Sequence, residues 1–332
     1  MILVTGGAGY IGSHTLIELL QAGKQVVVID NFSNSDPRVF GRIKDITGKA
    51  PVFWVRGDIR DAQLLDSLFR AFPVTQVIHF AGLKAVGESV AFPERYYDCN
   101  VMGTLTLLRA MANHGVKELV FSSSATVYGE AEVMPIDESA PLQPTNPYGE
   151  TKAAVEVLLR NRVTLDPTWK VACLRYFNPA GAHESGLIGE NPQGIPNNLV
   201  PYICQVATGE RSHLAVFGDD YPTPDGTGVR DYIHVVDLAR GHIAALQWLE
   251  KQAPGSWEAF NLGTGEGVSV LGMLKAFEAA AGKPIPMLVE ARRPGDVPVC
   301  MANPTKANLM LGWKAQRTVT AISQDAWRWV SR

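Results

Sequence analysis

The sequence predicts an α/β protein built on a doubly wound parallel sheet, and three observations lead to this prediction. Short apolar runs alternate with helical stretches through residues 1–176, and a glycine-rich turn joins the first run to the first helical stretch. Strands that alternate with helices in this way are typical of parallel sheets. The alternation loosens after residue 176, which predicts a second, smaller mixed α/β domain interleaved with the first.

The composition is that of an ordinary globular protein and argues against several classes of function. The 332 residues are 46% hydrophobic and 19% charged, with a net charge of −3, so the charge does not favour a nucleic-acid partner. The sequence contains neither a positive leader nor a long apolar run, which predicts a cytoplasmic protein without a membrane partner. The four cysteines lack metal-ligand spacing, so we expect no metal site and no disulfide framework.

The first apolar run, 2–5, leads into a turn with Gly6, Gly9 and Gly12, and a helical stretch follows. Glycines at this spacing let the backbone turn sharply and let a pyrophosphate approach the helix N-terminus. The second run ends at Asp30, eighteen residues after Gly12, where a carboxylate can accept both hydroxyls of an adenosine ribose and would repel a 2′-phosphate. The pattern predicts a Rossmann domain that binds NAD in preference to NADP. Glycines that only turn the chain are the simpler alternative.

Later runs extend the same pattern. Further strands are predicted at 52–55, 76–80, 118–122 and 170–176, with helices near 61–71, 94–113 and 147–163. Small or polar residues follow three of these strands, at the sheet edge where ligands bind in such folds. Residues 177–235 are rich in Asn, Pro and Gly, and we expect mainly loops with few core residues there. Helices near 236–250 and 270–281 then flank a short strand at 259–262.

The helix predicted from Asn146 carries a phenol and an ammonium on one face. Asn146 can cap it and Pro147 suits its first turn, and Tyr148 and Lys152 follow four residues apart. Lowering the pKa of a tyrosine from about 10 to about 7 takes roughly 4 kcal/mol, which a cation about 4 Å away can supply at an effective dielectric of about 20. We therefore expect Lys152 and the helix N-terminus, alone or together with a second cation, to activate Tyr148 as a base. Ser124, at a strand end, is expected to place a hydroxyl beside it. A surface pair and a solvated strand end are the alternatives.

Taken together, these residues resemble the extended short-chain dehydrogenase/reductase family. The pattern that carries the resemblance is Gly6-x-x-Gly9-x-x-Gly12, Asp30, Ser124 and Tyr148-x-x-x-Lys152. Longer motifs resemble the UDP-sugar 4-epimerases within that family and cover almost the whole chain. They are FAGLKAVGES at 80–89, SSSATVYG at 122–129, YFNPAGAH at 176–183, PQGIPNNL at 192–199 and GTGVRDYIHVVDL at 226–238.

The resemblance implies a redox-neutral inversion at C4 of the sugar, interconverting UDP-glucose and UDP-galactose. Tyr148 would take the proton from the sugar O4 while C4 gives a hydride to bound NAD, which leaves a 4-keto sugar. Ser124 would hydrogen-bond O4, and Lys152 would hold the nicotinamide ribose and lower the pKa of Tyr148. The keto sugar would then turn over and receive the hydride on its other face.

The same resemblance implies two sets of binding residues. The cofactor set comprises Gly6, Gly9, Tyr10, Ile11, Gly12, Asp30, Asn31, Asp58, Ile59, Phe80, Lys84, Asn100, Tyr148, Lys152 and Tyr176. The substrate set comprises Ser124, Tyr148, Asn178, Asn198, Leu199, Arg230, Arg293, Asp296 and Cys300, with Asp296 on the uridine ribose. Two arginines suit a diphosphate because each offers a planar fork of donors; surface arginines are the alternative.

Cys300 occupies a position where a bulky Tyr in the family is associated with restriction to simple hexoses. A small residue there implies room for a 2-acetamido group, so we also expect interconversion of UDP-N-acetylglucosamine and UDP-N-acetylgalactosamine. A cysteine that only packs is the alternative.

Two other functions remain to be weighed, a nucleotide-sugar dehydratase or decarboxylase of the same family and a non-catalytic NAD-binding module. Dehydratases use an Asp-Glu pair where this chain has Ala125 and Thr126, which cannot move protons in that way. A binding module would not need Tyr148, Lys152 and Ser124. The resemblance also implies a homodimer that pairs through 94–113 and 147–163. We expect an NAD-binding domain of 1–176 plus about 235–262, and a UDP-sugar-binding domain of 177–234 plus about 263–332.

Overall fold

A computed structural model describes residues 1–192, 194–293 and 295–332. Gln193, in the 192–199 motif, and Pro294 lie outside the described residues. In the described part of the chain, seven strands form a central sheet in the order β10-β6-β5-β4-β1-β2-β3. These strands are β1 (Ile2–Thr5), β2 (Val26–Asp30), β3 (Phe53–Arg56), β4 (Gln76–His79), β5 (Glu118–Ser124), β6 (Lys170–Tyr176) and β10 (Ser256–Leu262). All neighbouring pairs are parallel, which confirms the predicted doubly wound sheet.

Helices cover both faces of this sheet. They are α1 (Tyr10–Gln21), α2 (Val39–Thr47), α3 (Ala62–Ala71), α4 (Val86–Ala91), α5 (Pro93–Tyr96), α6 (Gly103–Asn113), α7 (Pro147–Leu165) and α9 (Val235–Lys251). Successive strand residues point to opposite faces, so Ile2 and Val4 lie in one buried core with α1 and α9, whereas Leu3 lies in the other with α3, α6 and α7. Both faces of the sheet are therefore buried, which explains why its strands are continuous apolar runs.

The stretch predicted as one helix at 94–113 is divided in the structure. A π-helical turn, Tyr97–Met102, separates α5 from α6. This turn holds Cys99 and Asn100 next to the ends of the central strands, and π-helical turns are frequent at functional sites. A continuous apolar periodicity in the sequence does not distinguish this turn from a regular α-helix.

Helix α7 begins as predicted. Asn146 is its N-cap, and its side-chain oxygen accepts a hydrogen bond from the backbone N–H of Gly149 at 2.9 Å. Pro147 occupies the first helical turn. The start of α7 is thus fixed by its own sequence, and Tyr148 stands in the first turn of a capped helix.

Smaller sheets lie outside the central one. Their strands are β7 (Asn178–Ala180), β8 (Leu214–Phe217), β9 (Val229–His234), β11 (Gly267–Ser269), β12 (Met287–Glu290) and β13 (Val299–Cys300). Strand β9 pairs with β7, β11 and β13, and β12 pairs with β8. The helices around them are α8 (Leu199–Ala207), α10 (Val270–Ala281), α11 (Thr305–Leu311) and α12 (Val319–Val330). No helix in the described part of the chain has the length and apolarity to cross a membrane.

Most of the described part of 177–235 lies outside helices and strands, as expected, but the expectation of few core residues there is wrong. This stretch contributes one helix and three strands, and Val200 and Ile203 of α8 are buried with Met273 and Phe277 of α10 in a third core. The apolar residues of α8 form one face of a helix, but the Asn, Pro and Gly residues around them hid that pattern. Near the C-terminus, Trp313 packs in the core of the central sheet, although it falls in the range assigned to the second domain.

Candidate active site

One cavity lies at the carboxyl edge of the central sheet, where β1, β2, β4, β5 and β6 end. It is lined by nearly the whole predicted cofactor set: Gly6, Gly9, Tyr10, Ile11, Gly12, Asp30, Asn31, Asp58, Ile59, Phe80, Lys84, Tyr148, Lys152 and Tyr176. Ligands bind at this edge in open parallel sheets. The sheet topology therefore brings together residues from positions 6 to 176 of the chain.

The glycine turn leaves no room for side chains at the floor of this cavity. Gly6 has a φ of +69°, and a Cβ there would lie 2.6 Å from the backbone nitrogen of Ala81. A Cβ on Gly12 would lie 2.8 Å from the Cα of Gly7. Among the described residues, no side chain caps the start of α1, so its first N–H groups face a site suited to an anion. This turn fits a dinucleotide pyrophosphate.

Asp30 is held in one orientation by its own chain. Its carboxylate accepts hydrogen bonds from the backbone N–H groups of Ala8 and Phe32, both at 2.9 Å, and from the Ser35 hydroxyl at 2.8 Å. Because a carboxylate offers about four acceptor positions, a ribose diol would gain both of its bonds only if one of these contacts yielded. Asp30 lines the cavity and fits an adenosine ribose with that adjustment.

A second polar group lies beside Asp30. Asn31 donates to the Asp58 carboxylate at 3.2 Å, and Arg60 donates to it from Nε and Nη2, both at 2.8 Å. The hydrogen bonds from Arg60 hold the pKa of the Asp58 carboxyl well below its usual range. Asp58 therefore remains an anionic acceptor at any physiological pH.

Tyr148 and Lys152 both line the cavity, where Lys152 is buried and Tyr148 is partly buried. Nζ of Lys152 donates to the Ser122 carbonyl at 2.7 Å and lies 5.9 Å from the centroid of the Tyr148 ring. Burial raises the pKa of Tyr148 to about 12, and the neighbouring Ser124 hydroxyl opposes this only in part. Burial also lowers the pKa of Lys152 to about 8.

In the protein alone, Lys152 and the helix N-terminus leave the pKa of Tyr148 above its usual value, which favours the expectation that a second cation contributes. Moving the Tyr148 phenolate out of water costs more free energy than the attraction of one ammonium group recovers. In addition, the Lys152 ammonium donates its hydrogen bond to the Ser122 carbonyl. Activation of Tyr148 therefore requires a further positive charge.

Ser124 is the last residue of β5 and lies opposite Tyr176 in the register with β6. Its Oγ accepts hydrogen bonds from the Thr126 backbone N–H at 3.2 Å and the Thr126 hydroxyl at 3.0 Å. With both of these donors bound, the Ser124 hydroxyl can still donate its own hydrogen. Ser124 therefore lies beside Tyr148 as predicted, with a donor available for an oxygen there.

Asn100 is buried behind the cavity and is not part of its lining. Its amide accepts from the Leu83 backbone N–H at 2.7 Å and donates to the Leu83 carbonyl and the Thr151 hydroxyl, both at 3.0 Å. These contacts fix the loop after β4 to α7. Both polar atoms of the Asn100 amide already have hydrogen-bond partners within the protein. The predicted contact of Asn100 with the cofactor therefore stays a prediction.

Three residues of the predicted diphosphate set come together on the second part of the molecule. Asp296 accepts a hydrogen bond from Nε of Arg293 at 2.9 Å, and its Oδ1 lies 3.8 Å from Nη2 of Arg230. Cys300 lies next to Arg230 in the pairing of β13 with β9. Asn178, at the start of β7, pairs with Tyr232 of β9. None of these five predicted residues is in the described lining of the large cavity.

A carboxylate that the sequence analysis missed joins the two sets. Glu190 lines the cavity, and its Oε1 accepts from Nζ of Lys84 at 3.0 Å and from Nδ2 of Asn198 at 2.9 Å. Asn198 is the N-cap of α8, and Leu199 is the first residue of that helix. Glu190 lies two residues before the 192–199 motif, and this proximity was the available signal. Asn198 is thus placed at the edge of the cavity.

A Rossmann sheet whose dinucleotide cavity is lined by a tyrosine and a lysine four residues apart on one helix defines an extended short-chain dehydrogenase/reductase. Residues 3–326 match the family model described as GDP-mannose 4,6 dehydratase. The chain is also 57% identical over 330 residues to the UDP-glucose 4-epimerase of Bacillus subtilis (strain 168), which covers 99% of this chain and 96% of the relative. Within the broader family, the chain belongs to the UDP-glucose 4-epimerases.

Solved structures support the same assignment. A UDP-glucose 4-epimerase from Stenotrophomonas maltophila, with bound NAD and formylated UDP-arabinopyranose, matches with a TM-score of 0.97 at 50% identity, over 99% of this chain and 97% of that one. The UDP-Glc/GlcNAc 4-epimerase from Campylobacter jejuni matches with a TM-score of 0.87 at 34% identity, over 99% of this chain and 98% of that one.

Proposed function

We propose that the protein interconverts UDP-glucose and UDP-galactose by inverting C4 of the sugar through a 4-keto intermediate, with one tightly bound NAD reused in each cycle. The observation that carries this proposal is the group formed by Tyr148 and Lys152, which line the dinucleotide cavity, and Ser124, whose hydroxyl lies beside Tyr148. A hydroxyl donor, a potential base and a cation at one point are what removal of hydrogen from a secondary alcohol requires.

Tyr148 moves the proton at the sugar O4, and Ser124 holds that oxygen by donating a hydrogen bond. Bound NAD supplies the hydride acceptor for C4 and, in its oxidised form, a positive charge in the cavity that Tyr148 lines. That charge is the cation that the protein alone lacks, since burial leaves the pKa of Tyr148 at about 12. Lys152 adds its own charge and stays anchored to the Ser122 carbonyl.

The diphosphate is held by Arg230 and Arg293. In the protein alone both guanidinium groups face Asp296, which keeps them close together and oriented. A uridine ribose would bind to the Asp296 carboxylate, and a diphosphate would bind to the guanidinium groups of Arg230 and Arg293. These donors and acceptors are already close together in the protein alone. This grip on the nucleotide leaves the sugar free to turn over between the two hydride transfers.

The acetamido sugars UDP-N-acetylglucosamine and UDP-N-acetylgalactosamine belong to the same proposal. Cys300 lies beside Arg230, so a small side chain borders the site where the sugar attaches to the diphosphate. The relative from Campylobacter jejuni, described as acting on both sugar types, supports this extension.

A dimer accounts for an apolar face that is otherwise exposed to water. Val90 of α4, Phe92, Met102 of the π-helical turn and Val157 of α7 are 64%, 60%, 49% and 50% exposed, and α4 packs against α7. Exposed apolar residues on adjacent helices are typical of protein interfaces. The occupant is a second copy of this chain, paired through the helices at 86–113 and 147–165.

We assign the protein to the cytoplasm and to galactose metabolism, with a domain of 1–176 plus about 235–262 for NAD and one of 177–234 plus about 263–332 for the UDP-sugar. The division follows the central sheet, which takes all its strands from the first set of residues. A dehydratase is disfavoured because Ala125 and Thr126, which follow Ser124, carry no carboxylate.

The deciding experiment uses protein purified without added cofactor. UDP-galactose is converted and followed by NMR, with absorbance of NADH recorded in parallel. The proposal expects UDP-glucose without net NADH, and NAD released on denaturation. A Tyr148→Phe variant should lose at least a hundredfold in kcat, whereas Tyr202→Phe, on α8, should not. Formation of stoichiometric NADH would mean a dehydrogenase. If the wild-type protein and the Tyr148→Phe variant were equally inactive, the non-catalytic NAD-binding module would be the better explanation.

A further inference from the structure

His242 is buried on α9, behind the cavity rather than in its lining. Its Nδ1 lies 2.9 Å from the Leu238 carbonyl, and its Nε2 lies 2.5 Å from the Tyr176 hydroxyl. A carbonyl can only accept, which assigns the imidazole proton to Nδ1. Nε2 is therefore the acceptor, and Tyr176 donates its hydroxyl hydrogen to it.

The same imidazole contacts a second aromatic residue of the cavity. Its ring centroid lies 4.7 Å from that of Phe80 and 5.4 Å from that of Tyr176. Phe80 follows β4 and Tyr176 ends β6, the two strands on either side of β5, which carries Ser124. One side chain from a helix thus contacts aromatic residues on both sides of the strand that bears Ser124.

The environment keeps His242 suited to this contact. Burial lowers its pKa to about 4, so Nε2 remains an unprotonated acceptor across the physiological range. Tyr176, whose pKa is raised above its usual range by burial, remains a donor. The hydrogen bond between them therefore does not change with pH where the enzyme works.

We propose that His242 is a positioning residue that fixes Tyr176 and Phe80 as the aromatic wall of the cofactor cavity. This inference rests on the proposed function. In an inversion at C4 the sugar must turn over within its site, so the sugar itself is not held rigidly. The distance for hydride transfer must therefore be set by holding the cofactor in a fixed position. A wall held by a buried hydrogen bond and two ring contacts limits the ways in which the reactive end of a cofactor can shift.

The test compares His242→Leu, Tyr176→Phe, the double variant and the conservative His242→Gln in the holoenzyme. We expect His242→Leu and Tyr176→Phe each to lower kcat about tenfold while the KM for UDP-galactose changes less than about twofold. Both should also increase the rate of NAD loss and alter the fluorescence of bound NADH after chemical reduction. If His242 acts through Tyr176, the double variant is no worse than the worse single one, and His242→Gln, which keeps an acceptor, recovers part of kcat.

Leu246→Ala is the matched control, because Leu246 is buried on the same helix in the same core but does not line the cavity. It should reduce stability without changing kcat or NADH fluorescence. The inference is overturned if His242→Leu leaves kcat and fluorescence unchanged, if the two single effects multiply, or if Leu246→Ala produces the same kinetic loss. Failure of the proposed function would appear separately, as a wild-type protein that binds NAD but does not convert UDP-galactose.

Discussion

Tyr148 must lose its proton inside a buried site, and the charges around it set the pH at which it can do so. Lys152→Met removes an ammonium that lies 5.9 Å from the phenol ring. We expect the acidic limb of the kcat profile to move upward by about 1–2 pH units, because one charge at that distance contributes roughly 2–3 kcal/mol at an effective dielectric of about 20. A profile of kcat against pH from 6 to 10 measures this. An unmoved limb would mean that Lys152 only anchors the strand end.

Cys300 tests specificity at the scale of one side chain. It is only partly buried beside Arg230, so Cys300→Tyr adds a ring where an acetamido group would lie. We expect kcat/KM for UDP-N-acetylglucosamine to fall at least thirtyfold, and that for UDP-glucose to change less than about threefold. Cys300→Ser, of almost unchanged size, is the control and should keep both activities. Equal survival of both activities in Cys300→Tyr would refute the role of this residue as a gate.

At the scale of elements, the glycine turn before α1 decides whether the cofactor can approach. A Cβ on Gly12 would collide with the backbone at Gly6 and Gly7, so Gly12→Ala should displace the turn and reduce retained NAD at least tenfold. Gly41→Ala is the control, since Gly41 lies in α2 with nothing within 4 Å of its Cβ position. That variant should keep NAD and gain up to about 1 kcal/mol in stability. Full NAD content in the purified Gly12→Ala variant would contradict the role of the glycine turn in binding the cofactor.

Elements also show where sequence patterns succeed and fail. Helix α7 was predictable because its cap, its proline and its face lie within one short segment. Helix α8 was missed because its apolar face is short and stands among loop-forming residues, and it becomes visible only through its burial against α10. The π-helical turn at 97–102 was missed because one extra residue per turn leaves the apolar pattern nearly unchanged.

At the scale of the whole molecule, three buried histidines link stability to pH. Burial lowers the pKa of His14 and His79 to about 3 and that of His242 to about 4. Below about pH 6.5 the unfolded chain binds protons at these rings and the folded protein does not, so stability falls as pH falls. The loss between pH 7 and 5 should be about 2 kcal/mol for each ring.

Urea unfolding at pH 7 and pH 5 measures this dependence. His14→Leu should reduce the loss by about 2 kcal/mol, because it removes one ring whose pKa is lowered by burial. Among the described residues, Nε2 of His14 has no hydrogen-bond partner, so the substitution breaks no hydrogen bond at that atom. His213→Gln is the control at a partly exposed site and should leave the pH dependence unchanged. A loss in His14→Leu equal to that of the wild type would show that other groups control acid stability.

The apolar face on α4, the π-helical turn and α7 gives a second prediction at this scale. Phe92→Glu combined with Val157→Glu should convert a dimer into a monomer, because burying two carboxylates in an apolar interface is costly. Leu309→Glu, at an even more exposed apolar position on α11, should leave the dimer intact. Sedimentation equilibrium distinguishes the species. A dimer that persists in the double variant would place the interface elsewhere.

By itself, the sequence determined the parallel α/β architecture, the glycine turn with Asp30, and the pairing of Tyr148 with Lys152. Each of these depends on residues close together in the chain, where the 3.6-residue period of a helix or the geometry of one turn decides what they do. Only the folded molecule shows that its surroundings raise the pKa of Tyr148, that Glu190 joins Lys84 to Asn198, and that His242 contacts Tyr176 and Phe80. Apart from the contact of Glu190 with Asn198, these contacts join residues far apart in the chain, and their energies depend on burial, which no local pattern of residues encodes.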